Sequence, residues 1–282
     1  MEKYKNKVTL IVCTCKRINS FIPSMKNFFE NCLDHHLIYQ VIVFDDNSSD
    51  DDRNYMLENY PDFKFIFKKY SEKGHSKSLN MIPKYVTTKY FLNWEDDTEF
   101  KYPKNYITDA IDILESQNSI DNNIVQVLFN DSGFSYQQKN NNKLHKREPV
   151  PHIIHKIKDD SLLPDNANDF IIGIHHWPGY SDNAYIMHTD IINKLGGFIN
   201  DPSYSEVDFS IKFRNNRFKT CYLIGSGLKW NSGESAYVLN GMNRWWDNIA
   251  CGVEFGMIKY IATNIFKFQT WITVWNIITG KV

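Results

Sequence analysis

The chain carries almost no net charge: 32 Lys and Arg stand against 33 Asp and Glu, a formal charge of -1. That balance lacks the basic footprint of a nucleic-acid-binding protein, so no nucleic-acid partner is expected. No apolar run reaches the ~18–20 residues that a membrane-spanning helix needs. The nearest stretch lies near the C-terminus, where Lys259, Asn264, Lys267 and Gln269 interrupt it. Cysteine is sparse, with five residues at 13, 15, 32, 221 and 251 and no CxxC pair. This argues against a disulfide scaffold or a zinc ribbon and for buried reduced thiols in a reducing compartment, so a cytoplasmic location is expected. No internal repeat is present, and 136–152 is the one low-complexity loop. The first residues show charge and then a short apolar run with no small-residue cleavage site, which reads as a first strand.

What is present is a core-forming chain of 282 residues, 42% hydrophobic and 15% aromatic. Its first half alternates strand and helix patterns. Apolar β-rich runs at 7–15, 39–46, 63–67, 89–94 and 123–129 are separated by helical patterns at about 20–34, 49–59, 76–86 and 103–117. Strands alternating with helices imply right-handed crossovers and a mostly parallel sheet covered on both faces. Such sheets bind ligands at the carboxyl ends of their strands, near the point where strand order reverses. Polar motifs fall at those ends: TCKR after the first strand, FDDNSSD after the second and WEDD after the fourth.

The WEDD segment sets Glu95, Asp96, Asp97 and Glu99 within five residues at the end of an aromatic strand. Adjacent carboxylates repel and resist burial, so either a divalent cation offsets them or the segment is a solvated acidic turn. In FDDNSSDDD, Ser49 and Asp52 have capping-box spacing, which accounts for Asp50 to Asp52. Asp45 and Asp46 precede that turn; a carboxylate at a strand end suits a base N–H or ribose hydroxyls. The segment KGHSKSLN offers Gly74 and a helix start, with Lys77 as a phosphate or base contact. His75 reads as a surface residue, and Asn80 either positions a nucleotide or bonds inward to backbone. In LGGF…SEVDFSIKF, Glu206 and Asp208 lie in a first helical turn, as cap or as general base.

The ordered set TCKR, FDDNSSDD, GHSKSLN, WEDD and LGGF…SEVDFSIKF resembles the GT-A fold glycosyltransferases, close to the large family 2 of inverting enzymes, over about residues 7–235. The resemblance implies an α/β, Rossmann-like three-layer sandwich with a mostly parallel central sheet. Residues 1–129 would bind the nucleotide sugar and 130–235 the acceptor, with 236–282 a helical extension packed on the domain. It implies transfer from a nucleoside-diphosphate sugar, a UDP-sugar first, to a hydroxyl of a glycan or glycoprotein, with Mn2+ or Mg2+. Carried over, Thr14, Arg17, Asp45, Asp46, Lys77 and Asp96 surround the donor, while Asp97, Asp96 and Asn231 hold the metal. Glu206 stands where the family's catalytic Asp is usual, with Asp208 the runner-up, and Asn231 where many members have His.

The variable region carries Trp177 and Tyr180 for stacking on a sugar, His176 for hydroxyls and Asp182 for orienting the acceptor. Residues 258–279 form a packed amphipathic helix, with peripheral membrane contact as the alternative. Two competing classes remain. A catalytically degenerate nucleotide-sugar- or partner-binding module would use the same sheet. A nucleotidyltransferase would want a glycine-rich phosphate loop, and CTCKRINSF has none.

Overall fold

A computed structural model describes residues 4, 6–129, 150–155, 179–200 and 205–231. The chain begins β1 (Val8–Thr14), α1 (Ile18–Asn31), β2 (Ile38–Asp45), α2 (Asp50–Asn59), β3 (Lys64–Phe67), α3 (His75–Tyr85), β4 (Tyr90–Glu95) and β5 (Thr98–Phe100). It continues with α4 (Tyr106–Leu114), α5 (Gln117–Asn122), β6 (Ile124–Leu128), β7 (His152–Ile154), β8 (Tyr185–His188), α6 (Asp190–Lys194), α7 (Ser205–Asn215), β9 (Lys219–Leu223) and β10 (Leu228–Trp230). The five strands expected in the first half are all present, with boundaries within about two residues. The helix expected at 103–117 is instead two helices. α4 ends at Leu114, and Ser116 caps α5 by accepting the Ser119 N–H at 3.2 Å.

Among the described residues, eight strands form one sheet in the order β3-β2-β1-β4-β8-β6-β9-β7, and β5 and β10 form a separate antiparallel pair. β8 runs antiparallel to both β4 and β6, and β7 is antiparallel to β9; the other pairings are parallel. Strand order reverses beside β1, which pairs with β2 on one side and β4 on the other. A crevice is therefore expected where β1, β2 and β4 end.

Side-chain alternation sorts the core into two layers. Val8, Leu10, Val12, Val41, Val43, Tyr90, Leu92 and Trp94 face α1, α2 and α4. Ile11, Ile42, Phe44 and Phe91 face α3, α6 and α7. The same parity carries into the strand ends. Glu95 is paired in register with Cys13 and follows Phe91 and Asn93 onto the α3–α7 face. Glu95, the last residue of β4, is thereby set apart from Asp96 and Asp97, which lie in the turn that follows the strand.

Helix α2 starts as its sequence predicts, with the Ser49 hydroxyl accepting the Asp52 N–H at 3.1 Å. The LGGF turn is held by Asn80, which donates Nδ2–H to Phe198 O at 2.8 Å and accepts the Phe198 N–H at 2.7 Å. Asn80 therefore bonds inward. Gly197 in that turn has φ of 74°, and a Cβ there would lie 2.6 Å from Asn80 Oδ1, so both conformation and space demand glycine.

Candidate active site

Polar side chains from three strand ends and two helix starts are linked in two neighbouring clusters. At the β1 end, Thr14 donates its hydroxyl to Asp96 Oδ2 at 2.8 Å. Arg17, three residues on, places Nη1 3.1 Å from Asp96 Oδ1 and Nη2 2.5 Å from Asp97 Oδ2. One guanidinium thus spans both carboxylates. Glu99, beyond them, pairs with Lys229 at 2.7 Å across the β5–β10 ladder. The acidic crowding at 95–99 is met largely by basic side chains supplied from elsewhere in the chain. Burial raises the Asp96 carboxyl to about 6, against the opposing pull of Arg17 and Thr14.

Asn231 arrives through β10. Its N–H donates to Asp97 O at 2.8 Å and its Nδ2–H to Ser20 O at 3.2 Å. The structure thus brings Asn231 beside Asp97. Among the described residues, no three His, Cys, Asp or Glu side chains form a group placed to hold a metal. Both Asp96 oxygens are already engaged, whereas the Asp97 side chain keeps 22% of its surface exposed. The donor set fits a hard cation taking an Asp97 oxygen and completed by ligands from outside the protein. It does not form a closed protein cage.

At the β2 end the adjacent aspartates part company. Asp45 is fully buried, accepting Arg53 Nε–H at 2.7 Å and the Ser48 N–H at 3.2 Å. It holds the turn together and has no surface for a ligand, which corrects its expected place among the donor-binding residues. Asp46 is partly exposed, and both its oxygens lie within 3.0 Å of the Gly74 N–H. Lys68, fully buried at the β3 end, lies 3.1 Å from Asp46 Oδ1 and donates to Gly74 O at 3.0 Å and Ser78 Oγ at 2.6 Å. Lys77 donates to Ser71 O at 2.9 Å near the same loop.

The α3–α7 side holds a second polar cluster. His75, the first residue of α3, places Nε2 2.6 Å from Asp182 Oδ2. Tyr180 donates its hydroxyl to Asp182 Oδ1 at 2.9 Å, and the Asp182 N–H donates to Glu206 Oε1 at 2.9 Å. Burial and the Asp182 charge raise the Glu206 carboxyl above its ordinary range. Glu95 is pushed up to about 8 by burial, with Asp182 and Asp97 adding to it. Desolvation by the groups packed around it would lower His75, although 40% of its side chain stays exposed, but Asp182 outweighs that and holds the imidazole well above its usual value. Asp208 instead pairs with Lys212 at 2.7 Å, and Lys212 also donates to Gly197 O. Of the two acids of SEVD, Glu206 is the one joined to this cluster.

Tyr180, expected to stack on a sugar, is fully buried and ringed by Tyr185, Phe198, Phe209 and Phe213. It has no open face, and its hydroxyl serves Asp182. Trp177 and His176, as well as the extension at 236–282, lie outside the described residues. Sequence reasoning read His75 as a surface residue, and its side chain is 40% exposed, but it did not foresee the pairing with Asp182, and it gave Lys68 no role. Lys68 carried a usable signal, because it directly follows a parallel strand. His75 carried little, since its partner is 107 residues away.

These arrangements define a mostly parallel α/β sheet with acidic groups at its switch point. The chain belongs to glycosyl transferase family 2, whose family model matches residues 9–176. A mannosyltransferase from Pyrobaculum calidifontis, solved with GDP-Man and Mn2+, superposes with a TM-score of 0.51 at 12% identity, over 99% of this chain and 81% of that one. GalNAc-T7, solved with UDP, GalNAc and Mn2+, superposes with a TM-score of 0.54 at 9% identity, over 82% of this chain and 46% of that one. The fold is that of the GT-A glycosyltransferases. No curated protein matches the chain in sequence. Among the described residues, no helix is long and apolar enough to cross a membrane.

Proposed function

We propose that the protein is an inverting glycosyltransferase, moving a sugar from a nucleoside-diphosphate donor, a UDP-sugar first, to a hydroxyl of a glycan or glycoprotein. The observation that carries this reading is Glu206, a carboxylate of raised pKa held by the Asp182 N–H in the polar cluster on the α3–α7 face. A base must hold its charge near the working pH yet bind a proton readily, and a raised carboxylate meets that demand. Glu206 takes the acceptor proton, and the acceptor oxygen bonds to the anomeric carbon. The bond from that carbon to the diphosphate breaks from the opposite face, and the nucleoside diphosphate leaves.

Asp46 has carboxylate surface left for a base N–H, with Thr14 and Lys77 proposed around the base, Arg17 as a further donor contact and Asp96 toward the ribose or the metal. Mn2+ or Mg2+ would be held by Asp97 beside Asn231, where a divalent cation supplies Lewis-acid stabilisation of charge on the departing phosphate. Trp177 and His176 are proposed acceptor contacts. The two metal-bound GT-A neighbours support divalent-metal use.

The test is a panel of UDP-, GDP- and dTDP-sugars with Mn2+, followed by donor hydrolysis and thermal shift beside Asp97→Ala. Metal-dependent turnover of one donor, lost in the variant, is expected. Binding without turnover, even with candidate acceptors, would instead mark a degenerate donor-binding module.

A further inference from the structure

Two polar groups that the chemistry above leaves unassigned lie in sequence at one helix start. Gly74 donates its N–H to Asp46. The next residue, His75, pairs with Asp182 at 2.6 Å. Asp182 in turn presents its N–H to Glu206 at 2.9 Å. Asp182 is the hub: one oxygen takes His75, the other takes the Tyr180 hydroxyl, and Tyr180 shares a 2.9 Å hydroxyl contact with Tyr185. Gly74 itself has φ of 131°, a conformation open to glycine, and this sets where α3 begins and therefore where His75 stands.

We infer that His75 is a positioning residue for Glu206: through Asp182 it fixes the carboxylate that accepts the proton, and through Gly74 it ties that carboxylate to the donor-facing Asp46. The inference rests on the assignment of Glu206 as base. Its physical content has two parts. Without His75, Asp182 keeps the Tyr180 hydroxyl on one oxygen but loses the partner on the other, so its carboxylate is held at one point only and the loop that presents its N–H to Glu206 gains freedom to shift. A misplacement of about 1 Å at a reacting group costs on the order of 100-fold in rate. His75 is also the cation facing the cluster, with Asp182 from the loop before β8, Cys13 from β1, Glu95 from β4 and Glu206 from α7 around it. The tyrosines Tyr180 and Tyr185 complete that surround. Removing its charge raises the affinity of Glu206 for a proton, because like charges then dominate.

The experiment compares full-length wild type, His75→Gln, Asp182→Asn and Glu206→Gln, with the best donor from the panel. His75→Gln is expected to lower kcat about 10- to 100-fold. It should also move the acidic limb of the kcat profile up by about half to one pH unit. The dissociation constant for the nucleoside diphosphate alone should stay within about twofold, since its binding groups are untouched. An NMR titration of the His75 ring needs no turnover; its pKa should lie above 6.5 in wild type and fall in Asp182→Asn.

A His75→Gln enzyme with an unmoved acidic limb and wild-type kcat overturns the inference, while loss of transfer in Glu206→Gln keeps the base assignment. Retained transfer in Glu206→Gln overturns the base and the inference with it. A His75 ring titrating as a free histidine in wild type removes the pair itself.

Discussion

The Arg17 guanidinium lies against the Asp97 carboxylate, Nη2 to Oδ2 at 2.5 Å, and reaches Asp96 with its other amino group. A single basic side chain therefore bridges both carboxylates and offsets part of the charge that a metal would otherwise meet. Arg17 is only 10% exposed, so the pair is well desolvated. Removing one partner of a buried pair strands the other charge, at a cost of roughly 3–5 kcal/mol. Arg17→Gln should lose about 2–4 kcal/mol in urea unfolding without metal, because Asp97 keeps some solvent. Mn2+ should then raise the melting temperature of the variant more than that of wild type. Unchanged stability in Arg17→Gln would show that the carboxylates do not depend on it.

Lys68 is a fully buried lysine whose ammonium meets Asp46, Gly74 O and Ser78 Oγ. Replacing it with Met keeps the bulk but leaves Asp46 without its counter-charge. Donor KM is expected to rise about tenfold while kcat changes little, the pattern for lost uniform binding. A fall in kcat at constant KM would place Lys68 in the chemical step instead.

The Asn80–Gly197 contact makes a prediction about coupling. Gly197→Ala meets both the left-handed φ, about 1–2 kcal/mol, and the 2.6 Å approach to Asn80 Oδ1. Asn80→Ala removes two bonds to the Phe198 backbone, at about 1–3 kcal/mol. The double variant should be less destabilised than the sum of the two, because the clash disappears with Asn80. Simple additivity, measured by urea denaturation, would mean the turn relaxes away from Asn80.

His188, at the end of β8, stacks edge-on with Tyr90 at 4.7 Å. Burial lowers its pKa to about 4, with Lys89 and Lys194 adding and Asp190 opposing. The sign follows from linkage: between pH 6.5 and about 4 the unfolded chain binds the proton and the folded chain does not. Stability from this residue is therefore complete above pH 6.5 and is lost as pH falls through that window. His188→Phe should flatten this part of the curve in unfolding measurements at pH 7 and pH 5. An unchanged slope would assign the acid sensitivity to other groups.

Much of this architecture was readable from periodicity, since buried parallel strands announce themselves as apolar runs such as VTLIVCT and VIVF. The strand-end rule singled out Thr14, Asp46 and Asp97, and the structure sets all three at the ends of β1, β2 and β4. It failed between neighbours. Asp45 and Asp46 are alike in sequence, and only the packing of Arg53 from α2 decides which one is consumed by the turn. β8 escaped notice because it is short and sits as an antiparallel insert between β4 and β6, where no local pattern marks its partners. Tyr180 was misread for a related reason. A Pro-Gly-Tyr segment looks like a loop tip, yet the aromatic rings of α7 and Phe198 enclose it. The Arg17–Asp97 and His75–Asp182 pairs join residues 80 and 107 positions apart, a separation at which one sequence carries no signal.

The most direct test of the central claim is sugar transfer by Glu206→Gln, measured beside its affinity for the nucleoside diphosphate. The amide keeps the shape and can still accept the Asp182 N–H, but it cannot take a proton. Transfer should fall by about 100- to 10,000-fold, the usual contribution of a general base, with nucleotide affinity unchanged. A Glu206→Gln protein that transfers sugar at the wild-type rate would contradict the account and move the proton acceptor elsewhere in the crevice.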